Sequence, residues 1–249
     1  MNRAVFRVFT TFLALCISAV AQDSAYYKAI QKGASTQVQP NQFKEMEQDA
    51  LKNYSRPETY EKLATSFGSS TEKVWAVIYG GVFCNLSPDA DRRSVIGSLV
   101  YQLYDKSLSN KGGGLTVNLT ENAQAPQGQP PFESQFELAF LMGAFPLGSS
   151  VTPLSIQKLT EIRKHQLSQW AQKKLPSNEL VRWQQAIMVA GHFDAYNYWL
   201  FQSARPDEFG QWAKEHQTQY QAWLDWQANN KFAVQTPDFQ RLYLMRSQR

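Results

Sequence analysis

The chain has 249 residues, with 25 Lys and Arg against 21 Asp and Glu, a formal net charge of +4. Aromatic residues make up 13% of it and include seven Trp, enough apolar area for a substantial core without disulfides. No block of like charge is present to steer the protein to nucleic acid or to an anionic lipid surface, so neither is expected as a partner.

The amino terminus reads "MNRAVFRVFTTFLALCISAVAQ". Arg3 and Arg7 form a basic start, Val8 to Ile17 a short apolar run, and Ala19-Val20-Ala21 the small-x-small pattern of a cleavage site. That run falls well short of the roughly 20 residues a membrane-spanning helix needs. Residues 1–21 are therefore expected to be a signal peptide, and the mature chain to be periplasmic or secreted with no stable membrane span. A lipoprotein anchor on Cys16 fits less well, because Leu15 stands where a small residue is wanted. Without Arg3 and Arg7 the balance is 23 basic against 21 acidic residues, a net +2. Cys16 leaves with the leader. Cys84, in "VIYGGVFCNL", then has no intramolecular disulfide partner and reads as a buried, inert thiol.

Residues 22–109 read as an N-terminal helical region. "NQFKEMEQDALKNY" places Phe43, Met46, Ala50, Leu51 and Tyr54 on one helical face. Ser55 to Glu58 has the spacing of a capping box with Pro57 in the first turn, and Gly68 fits the closing position of the helix that follows. Two more apolar-faced helices, "TEKVWAVIYGGVFCNL" and "DRRSVIGSLVYQLYDKSL", flank Ser87-Pro88-Asp89. Residues 110–131, rich in Gly and Pro, break the pattern and read as a loop or linker. Leu115, Val117 and Leu119 alternate inside it and could form a small strand or hairpin.

Residues 132–249 read as a second helical region. "FESQFELAFLMGAF" is apolar on most sides, which predicts a buried helix. Thr152-Pro153 is an N-cap followed by Pro, and its helix turns Ile156, Leu159, Ile162, Leu167 and Trp170 inward. Ser177 is expected to cap the next helix, which ends at Gly191, and another helix runs from about Phe193 to Ala204. Further starts are expected at Pro206, at a capping box over Thr218 to Gln221, and at Thr236-Pro237-Asp238. The predicted class is all-α, with antiparallel helical hairpins stacked as a short αα array.

The segment 183–204, "WQQAIMVAGHFDAYNYWLFQSA", resembles the middle of a tetratricopeptide repeat. Gly191, Phe193 and Asp194 match the turn between that repeat's two helices, and Ala204 a small residue near its end. Tyr196 departs from the alanine usual there, the closing proline is displaced, and no strict 34-residue period recurs. The resemblance implies a scaffold or binding role, with a protein or cell-wall partner, and carries no catalytic residue.

Few residues offer chemistry. "FESQF" is similar to the Glu-Ser-x-Phe context of lytic transglycosylases, which makes Glu133 the candidate general acid of an alternative, peptidoglycan-cleaving reading. Its place after Pro130-Pro131 puts it instead in the first turn of a helix, where an acid complements the helix dipole. His192 and Asp194 form the best-spaced pair for catalysis or metal binding. With only three His and no His-Glu-x-x-His motif, no metal site or cofactor is expected. Trp212, Trp223 and Trp226 are candidate anchors for a peptide or glycan, against the simpler reading that they fill the core. Three Asn-x-Ser/Thr sequons occur, and no glycosylation is read from them.

Overall fold

The computed structural model describes residues 40–111, 114–120, 132–175, 178–237 and 240–241. The expected leader over 1–21, the cap at Ser177 and much of the expected loop over 110–131 lie outside the described residues. So does part of the helix start expected at Thr236-Pro237-Asp238. The protein is all-α, as its periodicity predicts. In chain order the helices are α1 (Pro40–Lys52), α2 (Pro57–Gly68), α3 (Lys73–Leu86), α4 (Ala90–Ser107), α5 (Phe132–Ala144), α6 (Ile156–Gln172), α7 (Glu179–Val189), α8 (Phe193–Phe201), α9 (Pro206–Glu215) and α10 (Gln217–Asn229).

Local signals act at several helix starts. Asp89 caps α4 by accepting from the Arg92 amide, and Asn178 caps α7 by accepting from Val181. Other starts differ from the predicted ones. The residue before α2 is Arg56, with no side-chain cap, so Ser55 does not close a capping box, and Gly68 lies within the helix. The helix expected from Thr152-Pro153 begins at Ile156 instead. Ser155 caps it, with Oγ accepting from the Lys158 amide at 3.1 Å. The start expected at Thr218 moves to Gln217, since the Tyr220 amide donates to the His216 carbonyl and no side chain caps the turn.

The expected hairpin exists with a different first strand. The chain leaves α4 at Ser107, and β1 (Leu108–Lys111) pairs antiparallel with β2 (Gly114–Val117), Leu108 opposite Val117. Leu119 beyond it is fully buried, and Thr120 bridges to Glu72. Tertiary contact thus captures four residues at the edge of the predicted helix and loop.

One contiguous core runs from Ala50 to Val234. Two helices carry it, because they are apolar on every side. In α3, every residue from Val74 to Cys84 is buried, and in α8 only Asp194 reaches solvent appreciably. α4 lies between them, and two glycines let it come close. A Cβ on Gly80 of α3 would meet Val100 at 2.5 Å, and a Cβ on Gly97 of α4 would fall within 3.0 Å of the Leu200 carbonyl oxygen of α8. The remaining helices enclose this pair: α2, α5 and α7 contact α3, while α6, α7, α9 and α10 contact α8. The C-terminal residues Gln240 and Arg241 return to the N-terminal helices. Gln240 donates to the Ala50 carbonyl, and Arg241 pairs with Glu47 and Glu72.

Candidate functional site

The turn between α7 and α8 is built by backbone chemistry. Gly191 adopts φ 79°, a left-handed conformation that favours glycine. The Gly191 amide donates to the Met188 carbonyl and the His192 amide to the Ile187 carbonyl, the two bonds of a Schellman closure. His192 and Asp194 then face different partners. The His192 ring packs against Trp226 and Trp223, with centroids 5.7 and 6.4 Å away. Asp194, in the first turn of α8, pairs with Lys164 of α6 at 2.7 Å. Each side chain therefore has a packing or pairing role. Asp194 complements the N-terminal dipole of α8 as expected from sequence, and it also ties α8 to α6.

Glu133 occupies the first turn of α5. Its carboxylate accepts the indole N–H of Trp75 at 2.6 Å, and the neighbouring Phe132 ring stacks on the same indole at 5.2 Å. Trp75 is 1% exposed, so this bond satisfies a donor that water cannot reach. The contact fixes α5 on α3.

The C-terminal aromatics form two packed groups. Trp212 is buried in a parallel stack between Tyr198 at 4.3 Å and His216 at 5.0 Å. Trp223 is fully buried, with Tyr196 and Trp199 meeting it edge-on. Trp226 is half-buried and lies 5.1 Å from Trp183, whose N–H is held by Asn85. Of the three anchors proposed from sequence, Trp212 and Trp223 fill the interior. Only Trp226 reaches the surface, at the edge of a partly covered cluster with Trp183, His192 and Phe232.

A more exposed apolar surface lies on α5, where the sequence predicts a buried helix. One side of α5 does enter the core through Phe136, Ala139, Phe140 and Gly143. Gly143 permits close packing on α6, since a Cβ there would fall within 3.0 Å of the Ile162 carbonyl. The other side carries Leu138 and Met142 at 52 and 41% exposure with Leu141 half-buried, and Phe145, 59% exposed, opens the 3-10 turn (Phe145–Val151) that directly follows the helix. Leu138, Leu141 and Met142 follow the i, i+3, i+4 spacing of a helical recognition face, and Phe145 extends it beyond the helix end. The signal was present in "ELAFLMGAF", but an all-apolar helix gives no indication of which side lacks a neighbour.

Among the described residues, Glu47, Glu61 and Arg163 are buried charged side chains. Arg163 of α6 is 4% exposed and lies among the rings of Phe193, Tyr196 and Phe201, at 5.3 to 5.7 Å from their centroids. Its Nη1 donates to Asn197, itself fully buried, and Asn197 is anchored in turn on the Phe193 carbonyl at 2.6 Å. Arg163 also borders a small cavity at the centre of the bundle, together with Tyr104, Gln166 and Gln184. Burial pushes the Tyr104 hydroxyl up to about 12, against the pull of Arg163. Removing a guanidinium from water costs several kcal/mol. Each ring face offsets about 0.5–2 kcal/mol of that and the hydrogen bond to Asn197 about 1.5–3 kcal/mol.

Cys84 is buried beneath α4, and burial raises its thiol to about 12, far from thiolate chemistry. Among the described residues, no group of three or more His, Cys, Asp or Glu could hold a metal ion, and no helix is long and apolar enough to cross a membrane. Comparison with protein-family models, curated proteins and solved structures finds no match to this chain.

Proposed function

We propose that the protein is an exported helical scaffold of the cell envelope that binds another protein through the outer face of α5. The observation carrying this reading is the stripe of Leu138 and Met142 on a helix whose opposite side is locked into the core, continued by Phe145 in the turn just after it, each more than 40% exposed. A rigid helix presenting apolar side chains one turn apart suits the apolar face of a partner helix. The leader pattern over residues 1–21 supports export, and the tetratricopeptide-like turn at Gly191 supports a scaffold role.

The test places a photo-crosslinking residue in turn at Leu138, Met142 and Phe145 of the chain expressed in its own cells. Lys214, exposed on α9, serves as control. One adduct common to Leu138, Met142 and Phe145, absent from Lys214 and abolished by Leu138→Glu with Phe145→Glu, is the expected result. Equal labelling at all four positions, or none at any, defeats the reading. Recovery of the chain solely from the cytoplasm removes its envelope component.

A further inference from the structure

We infer that the central cavity beside Arg163 is a binding site for a small monovalent anion, of chloride to formate size. The inference is independent of what α5 binds. Among the partly covered arginines, Arg93 has the Ser87 carbonyl and the Trp199 ring as partners, while two are matched by carboxylates: Arg92 by Glu61, and Arg241 by Glu47 and Glu72. Arg163 is more deeply buried than either, and no carboxylate among the described residues lies within ion-pair distance of it. Its visible partners are neutral. They are the Asn197 carbonyl oxygen, the Tyr104 hydroxyl and the three ring faces. A full positive charge therefore sits inside the bundle with no counter-charge at ion-pair distance among the described residues.

Next to it lies the cavity, with the guanidinium, Tyr104, Gln166 and Gln184 as its polar wall and Val77, Val181 and other apolar side chains as the rest. The Gln166 amide donates to the Phe136 carbonyl, which fixes its orientation. Gln184 is buried on α7 and brings a second amide to the wall. The space matches about one or two water-sized groups, which excludes a drug-sized or sugar ligand and admits a small ion. A fixed cation with polar side chains on one side of an apolar chamber favours a small, weakly hydrated anion over a multivalent one. The site would neutralise Arg163 and couple α3, α6 and α7, all of which line the cavity.

Thermal unfolding of the purified chain tests this at constant ionic strength, with sodium gluconate replaced stepwise by chloride, bromide or formate. A rise in Tm of several degrees is expected with each small anion, growing with the logarithm of its concentration once that exceeds Kd, as ligand linkage requires. The rise is expected to vanish in Arg163→Gln. It should also vanish in Val77→Ile/Val181→Ile, which keeps the charge and fills the chamber, so a poorly folding Arg163→Gln leaves the test intact. Crystals soaked in bromide should show an anomalous peak against the Arg163 guanidinium. Identical Tm in chloride and gluconate overturns the proposal. So does a rise that persists in the filled variant, or bromide bound only elsewhere.

Discussion

The approach of α4 to α8 at Gly97 sets two measurable effects against each other. Alanine in the middle of a helix is favoured over glycine by about 0.8–1 kcal/mol, so propensity alone makes Gly97→Ala stabilising. The packing opposes this. The new Cβ would lie within 3.0 Å of the Leu200 carbonyl oxygen, a backbone atom that moves only if α8 moves with it. α8 is buried almost all round and holds Phe193, Tyr196 and Asn197 against Arg163, so a rigid shift disturbs that whole cage. Overpacking of this kind costs about 1–3 kcal/mol, and the contact with backbone places it toward the upper end. The net expectation is a loss of about 1–2 kcal/mol, or a Tm lower by roughly 2–8 °C for a chain of this size. Gly210, in α9, provides the control, because a Cβ there meets nothing within 4 Å. Gly210→Ala should gain about 0.5–1 kcal/mol from propensity alone. Urea denaturation followed by far-ultraviolet circular dichroism measures both. A Gly97→Ala protein as stable as the parent, or more so, refutes the close-packing argument.

Two further outcomes follow from buried polar groups. Glu133→Ala is expected to destabilise by about 1–3 kcal/mol, because it strands the buried Trp75 indole N–H, whereas Glu133→Gln retains an acceptor and should stay within about 1 kcal/mol of the parent. Equal losses in the two variants would show that the hydrogen bond is not what matters there. Burial raises the Glu47 carboxyl above its ordinary value of 4.5, with Arg241 pulling it back. A carboxyl raised on folding holds its proton more tightly in the folded state. Its contribution to stability is therefore present below that value and is lost as pH rises through the folded one. Glu47→Gln should flatten the fall in stability above about pH 4.5, read from chemical denaturation across that range; an unchanged slope contradicts the assignment.

Much of the helical layout is legible locally. The spacing of Tyr60, Leu63, Ala64 and Phe67, the Pro206 start and the Gly191 turn all act within a few residues, which is the range of backbone hydrogen bonds. The sequence also indicates correctly that Cys84 is buried and that Asp194 complements a helix start. Periodicity loses its meaning where a helix is apolar all round. It could not separate α3 and α8, enclosed on every side, from α5, whose outer face stays exposed among the described residues, because burial there depends on how many helices surround each one. Nor could it pair Glu133 with Trp75, pack His192 against Trp223 and Trp226, or bring Asn197 to Arg163. Those partners lie tens of residues apart and meet only when packed helices exclude water from the groups between them.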